Sequence, residues 1–483
     1  MSAPLLGSQE TLGLDLGKCY DRISRLGLFG SDKIAAGGDN VDEPSQTVDW
    51  SGVKWAAAQK RCQEKNKAAH PSRTAVVIRT WHSRRYTEYD IAILRAMITE
   101  LVLQTGGEYM VHFLIHVQDE KLPIWASEAE YNRVLKEALP AEFEGLGTLW
   151  SAPQMRLVYP GPFPKSFINF SGGDLYGAYR SLHFPMQYFA SRHPEYDYFW
   201  HWEMDIRVTG HYHELFNQVS TWAESQSSAY AWERSSKFFI PSLYDNSYIK
   251  FSEAVKQEVL ASGRPPISGP QGNRTELLQI PRQDPLPTAS EIVDLITFNP
   301  IFNPNGTKWA FQGDITGYSH GRPPTRASLI TASRMSRRLL QLMHEETYRN
   351  HHTMFPEMYP ASIAFHYGLK AIYAPLPIYF DRDWPAVHAN EIFNNAPVSE
   401  ASKAQGLKHD RGYFHGPGGS VFGPGEHVFR SSTYYSNAAF ASYLWRRWLG
   451  HENNNDEIAW ETSYEGGGRM CLPMMVLHPI KED

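Results

Sequence analysis

One stretch limits the fold more than any other: Tyr196-Asp-Tyr-Phe-Trp-His-Trp-Glu203-Met-Asp205-Ile-Arg207-Val-Thr-Gly210. Aromatic side chains fill it as far as Trp202, the pattern of a buried strand at the centre of a sheet. It then breaks into Glu203-x-Asp205. Residues two apart on a strand share a face, and where the strand ends and turns both carboxylates can reach one point. Two carboxylates that close repel each other unless a cation lies between them or one is protonated. Oxygen ligands of this kind suit Mg or Mn. Open α/β sheets bind ligands at the carboxyl ends of their strands. The stretch therefore reads as a divalent-metal site. A plainer reading stays open beside it, in which Glu203 pairs with Arg207 and Asp205 caps a helix over His211 to Ser225.

The surrounding pattern predicts an α/β fold. Thr74 to Trp81 is a short apolar run of the kind that forms a buried parallel strand. A helix over Tyr89 to Gln104 follows, closed by Gly106-Gly107. Then come a strand at Met110 to Val117, a helix at Ser127 to Leu139 and a strand near Thr148 to Ser151. Strands alternating with helices over short connections predict βαβ units and a mostly parallel, Rossmann-like sheet flanked by helices. No Gly-x-Gly-x-x-Gly and no phosphate-cradling Gly-Lys-Ser/Thr loop follows the first strand, which argues against a dinucleotide-binding domain or a P-loop kinase.

Further along, Tyr176 to Arg192 reads as a helix interrupted by Pro185, residues 241–290 as a Pro/Gly/Ser-rich inserted loop, and Thr325 to Arg349 as a basic helix. A helix is expected at Asn437 to Leu449, after Gly-rich turns at 416–419 and 423–425. The expected organisation is an N-terminal arm and helix over 1–70, one half of the α/β unit over 71–230, and a second half over 231–483.

A net charge of −6 gives no electrostatic footprint for nucleic acid or anionic membrane. The three cysteines, Cys19, Cys62 and Cys471, have no metal or redox spacing. Three free thiols is the simplest reading, with a Cys19–Cys62 bridge as the alternative. No apolar leader or spanning helix is visible, so the expected location is cytoplasmic. Sequons at Asn169, Asn273 and Asn305 point the other way.

Several other groups invite a role. Arg79, His82, Arg84 and Arg85 follow the first strand and could meet phosphates, as could Arg326, Arg334, Arg337 and Arg338; solvated basic faces explain them as well. His211-x-His213-Glu214 offers a second ligand cluster or a helix cap. Glu357 sits on a rigid loop between two prolines, or serves as a helix N-terminal charge. His478 ends an apolar strand just before Pro479.

These motifs, together with Trp232-Glu-Arg-Ser-Ser-Lys237, Tyr435-Ser-Asn437, Leu444-Trp-Arg-Arg-Trp448 and Met474-Met-Val-Leu-His478-Pro-Ile-Lys481, resemble a fungal family catalogued as domain of unknown function 3405, from about Val48 to Lys481. Its members look like GT-A glycosyltransferases, which use nucleotide-sugar donors. The segment Asp197 to Asp205 is similar to the strand bearing the acidic metal motif of fungal Golgi α-mannosyltransferases. The resemblance implies Mn2+ (or Mg2+) held by Glu203, Asp205 and His478 between diphosphate oxygens, and a secretory location if an anchor has been removed.

The expected activity is transfer of a sugar from a GDP- or UDP-linked donor to a small-molecule or glycan hydroxyl. Arg79, Trp202 and Lys481 are the expected donor contacts. Glu357 is the first candidate for the base, nucleophile or ion-pair stabiliser that such a reaction needs, and Asp314 the second; Asp381 and Asp383 stand behind them. The alternatives are a metal-dependent hydrolase and a non-catalytic carbohydrate- or nucleotide-binding protein.

Overall fold

The structure is a computed structural model. It describes residues 3–30, 48–50, 52–66, 72–163, 172–269, 292–307, 309–319, 321–394, 396–397, 430–435, 438–451 and 468–481. Its strands are β1 (Thr74–Trp81), β2 (Tyr109–His116), β3 (Gly147–Trp150), β4 (Tyr198–Glu203), β5 (Arg207–Val208), β6 (Leu295–Thr297), β7 (Ile315–Thr316), β8 (Ala332–Ser336), β9 (Thr353–Met354), β10 (Ala371–Tyr373) and β11 (Val476–Leu477). Seven form one sheet in the order β10-β6-β8-β4-β1-β2-β3. All neighbours are parallel except β8, which runs antiparallel to both β4 and β6. The fold is α/β with a mostly parallel central sheet, and the sheet takes strands from both halves of the chain.

The aromatic strand is central because both of its faces are covered. Trp200 and Trp202 pack on Phe216 of the Tyr212–Ser225 helix. Phe199, on the opposite face, packs on Phe189 of the His183–Arg192 helix. Strand alternation sends successive side chains to opposite faces, so an aromatic run satisfies both layers at once. The Glu88–Ile98 helix behind β1 starts at a capping box formed by Thr87 and Asp90. It continues as a π-helical turn over Thr99–Leu103 before the left-handed Gly106 and Gly107 end it.

Several expectations fall to tertiary packing. The basic helix read over Thr325 to Arg349 begins only at Arg337, where Ser336 accepts from the Leu339 amide; residues 325–331 are not helical, and 332–336 are strand β8, paired between β4 and β6 with all five residues buried. The arginines of this region are engaged by neighbouring groups, Arg337 at the surface and the others at least partly buried. Arg334 pairs with Glu224 and lies over the Tyr198 ring, Arg337 pairs with Asp197, Arg338 with Asp294, and Arg326 lies over Phe365.

The inserted stretch contains a helix, Tyr248–Ala261, held by Phe251 and Val255 against Phe239. The break near Pro185 occurs at Leu182, so the proline lies in the first turn of the second helix, where it removes no intrahelical bond. The arm is also more than a surface wrap, since Leu6, Leu12, Leu14 and Leu26 are buried. The Gly-rich turns at 416–425 and two sequons, Asn169 and Asn273, lie outside the described residues; Asn305 is exposed.

The cysteine reading is corrected as well. Cys19 and Cys471 form a disulfide across 452 residues, and Cys62 is the free thiol. Beside the bond, Tyr20 and Leu472 form a two-way backbone bridge, and Trp448 Nε1 donates to the Tyr20 carbonyl at 2.7 Å. The arm is thus fastened to the segment that leads into β11. No helix among the described residues is long and apolar enough to cross a membrane.

Candidate metal centre

Glu203 is the last residue of β4, and its Cα partner on the parallel neighbour β1 is Arg79. The chain then turns through Met204 and Asp205 into β5. Arg207 pins that turn from below: its guanidinium donates to the Met204 carbonyl at 2.7 Å and meets Asp90 at 3.0 Å, inside the core. Strand β5 pairs antiparallel with β11, Leu477 opposite Arg207, which delivers His478 to the acidic turn. The Ile480 amide donates to the Asp205 carbonyl at 2.9 Å and fixes the far side.

The result is a cluster in which one ligand atom each from Glu203, Asp205 and His478 lies within 4.8 Å of the others. His478 Nε2 is 3.3 Å from Glu203 Oε2 and 3.5 Å from Asp205 Oδ1. His478 Nδ1 donates to the Tyr435 carbonyl at 3.1 Å, which turns Nε2 toward the carboxylates. Two carboxylates and one oriented imidazole are a donor set that suits Mn2+ or Mg2+, so the residues present fit the expected ion.

Two further cations touch the cluster: Arg79 Nη2 lies 2.7 Å from Glu203 Oε1, and Lys481 Nζ meets Asp205 Oδ2. The plain reading of the acidic pair therefore fails. Arg207 is spent on Asp90, and the helix after the turn is capped elsewhere, with the Tyr212 amide donating to buried Glu100 at 2.8 Å.

The charges follow from these contacts. Burial works against ionised Glu203, but Arg79 and then His478 outweigh it and hold the carboxyl below its ordinary range. Burial is likewise overcome at Asp205, by His478 and Lys481, and its carboxyl is lowered. His478 is pushed up to about 9, because the two carboxylates outweigh the cost of burying its charge.

A cavity of about 740 Å³ opens over this cluster at the carboxyl ends of β1 to β4. Arg79, Lys481 and Glu357 line it with Glu203 and Asp205. Glu357 Oε2 is buried without a hydrogen-bond partner, and burial, reinforced by the charge on Glu203, pushes its carboxyl up to about 8. The carbonyl of Glu357 accepts from the Ser328 amide at 2.9 Å, which fixes the loop.

Other sequence candidates lie elsewhere. Trp202 faces the Tyr212–Ser225 helix, one strand position from Glu203 and hence on the other side of the sheet, so it cannot contact a donor in the cavity. Asp314 is fully buried, with Arg180 Nε at 2.6 Å from its Oδ1. Burial raises its carboxyl to about 6 against that partner, and it does not line the cavity. Asp381 pairs with Arg382. In the His211 cluster, His211 pairs with Glu100, His213 packs edge-on to Tyr109, and Glu214 accepts from Tyr20. Arg84 and Arg85, by contrast, do line the cavity, and the Arg84 guanidinium is held there by Asp90.

Sequence reasoning missed His116 and Trp150, whose rings stack at 4.2 Å in the cavity wall. They end β2 and β3, and the rule that ligands sit at the carboxyl ends of parallel strands could have flagged both.

A family model described as "Protein of unknown function (DUF3405)" matches residues 19–72 and 63–482. The chain belongs to the DUF3405 family. No curated protein matches it. In this DUF3405 chain the cluster lies beside the β1/β4 boundary, where the strand order reverses: β2 and β3 build outward on one side of β1, and β4 lies on the other. Such a switch point is where open α/β sheets leave a crevice for ligands.

Proposed function

We propose that this DUF3405 chain is a metal-dependent glycosyltransferase of GT-A type that moves a sugar from a nucleotide-sugar donor to a hydroxyl acceptor. One observation carries the reading: Glu203, Asp205 and His478 converge at a strand-end switch point on a cavity that also holds Arg79, Lys481 and Glu357. A divalent ion held there supplies Lewis-acid stabilisation to a departing diphosphate. Glu203, Asp205 and His478 would hold it. Arg79 and Lys481 bind phosphate oxygens, a task suited to a fork-shaped guanidinium and a mobile ammonium.

Glu357 faces the reacting sugar. Its carboxyl keeps its proton because of burial and the nearby Glu203 charge. Burial is the larger cause, and neutralising Glu203 would remove only the smaller one; once ionised, the carboxylate would serve as base, nucleophile or ion-pair stabiliser.

The Cys19–Cys471 bond supports an oxidising compartment, hence a secretory location in place of the cytoplasmic one expected from sequence.

The test is thermal stability with GDP and with UDP, each with and without Mn2+, on wild type and Glu203→Ala. A ligand that binds only the folded protein stabilises it by about 2.7 kcal/mol at 100 times its dissociation constant. The expected result is a Mn2+-dependent shift with one nucleotide that the variant loses. A Mn2+ shift indifferent to both nucleotides favours the hydrolase. Nucleotide binding that is indifferent to metal and accompanied by no turnover favours a binding protein.

A further inference from the structure

All four carboxylate oxygens of the cluster are already engaged by the protein itself. Glu203 Oε1 faces Arg79, and Oε2 faces His478. Asp205 Oδ1 faces the same imidazole, and Oδ2 faces Lys481. A divalent ion entering alone competes with a guanidinium and an ammonium, and leaves both beside its own positive charge. A diphosphate reverses that balance. It brings negative charge and acceptor oxygens that Arg79 and Lys481 can take in exchange for the carboxylates.

We propose that Arg79 and Lys481 are specificity-determining residues that make this site accept a divalent cation together with a diphosphate group and discriminate against the bare ion. The inference rests on the nucleotide-sugar reading above and adds to it how the site chooses: its own two cations hold off the bare ion until a diphosphate arrives to take them.

The two cations divide the work according to how firmly each is held. The Lys481 side chain is 73% exposed. Ion pairs this accessible contribute little, and a flexible four-carbon stem lets Nζ leave Asp205 without backbone movement. Lys481 is the partner that exchanges. The Arg79 side chain is only 26% exposed, and the β1–β4 register fixes its backbone opposite Glu203. Arg79 stays as the anchor, with further donors of its fork for a phosphate oxygen. Coupling of this kind is reciprocal: the factor by which diphosphate tightens the cation equals the factor by which the cation tightens diphosphate.

Isothermal titration of the full chain tests it, with Mn2+ alone, GDP or UDP alone, and Mn2+ against protein saturated with each nucleotide. Mn2+ is expected to bind at least tenfold tighter in the presence of the preferred nucleotide. Lys481→Ala should strengthen binding of Mn2+ alone, weaken the ternary complex and so narrow the factor, while Lys481→Arg keeps most of it. Circular dichroism confirms that each variant is folded. Equal Mn2+ affinity with and without a nucleotide that does bind overturns the inference and leaves the nucleotide-sugar reading standing. So does an unchanged factor in Lys481→Ala. Failure of both nucleotides to bind, with or without Mn2+, overturns that reading and the inference with it.

Discussion

Arg79 and Glu203 are register partners on parallel strands, and their side chains meet at 2.7 Å where β4 ends, two residues before the end of β1. The sheet itself therefore sets the distance between the cation proposed to bind phosphate and the carboxylate proposed to bind metal. Neither depends on a loop for its position. Glu203→Gln keeps the shape of the side chain and removes its charge. It should abolish the Mn2+-dependent nucleotide shift, about 2.7 kcal/mol at 100 times the dissociation constant, while the protein stays folded without ligand. Calorimetry reads both, and a preserved shift would remove Glu203 from the ligand set.

Glu357 gives a pH signature. Its carboxyl is raised from 4.5 to about 8, so the fold favours the protonated form. That contribution to stability is fully present below 4.5 and is lost as pH rises through 8. Glu357→Gln cannot ionise, so it should stabilise the protein at pH 9 by roughly 2 kcal/mol, discounted for the partial exposure of the residue, and have little effect at pH 4. Thermal melts across that range test it, and an effect equal at both ends would contradict the assignment.

The buried pair of Arg180 and Asp314 braces the loop that carries Glu357. Arg180 Nη1 donates to the Met354 carbonyl at 2.7 Å, and the Phe355 amide donates to the Asp314 carbonyl at 3.0 Å, two residues before Glu357. Breaking a buried pair from one side leaves an uncompensated charge and costs about 3–5 kcal/mol. Asp314→Asn should lose stability on that scale, whereas Arg180→Met combined with Asp314→Leu should lose much less. Urea denaturation measures both. Equal losses would mean that packing, not charge, holds the loop.

The disulfide closes a very long loop and should stabilise the fold by about 2–4 kcal/mol. Cys19→Ser is expected to lower the denaturation midpoint accordingly. It should also weaken Mn2+ binding in the presence of nucleotide, because the bonded segment leads into β11 and His478. Cys62→Ser should change neither, and a midpoint unmoved by Cys19→Ser would argue against the bond.

Much of this was legible in the residues. Thr74–Trp81 is read with its observed limits because its β-branched interior has no other low-energy use. The Glu203-x-Asp205 break was visible because a charge pair ending an aromatic strand is locally anomalous. Strand β8 was not legible: Ala-Ser-Arg-Met-Ser has no strong preference of its own, and only β4 and β6 on either side make it extended. The Cys19–Cys471 pairing lay beyond sequence too, since nothing local ties residues 452 apart. Trp202 misled because an aromatic beside a functional carboxylate shares its strand but not its face.

Glu203 and His478 stand 275 residues apart along the chain and 3.3 Å apart in space. The seven-stranded sheet is already complete in β1 to β10, before β11 begins. A product of early termination or proteolysis ending short of residue 478 could therefore retain every strand of that sheet and still lack an imidazole and an ammonium at its centre. Competence for the proposed reaction would then be withheld until the polypeptide has been made and folded through residue 478, a form of quality control written into the order of the residues.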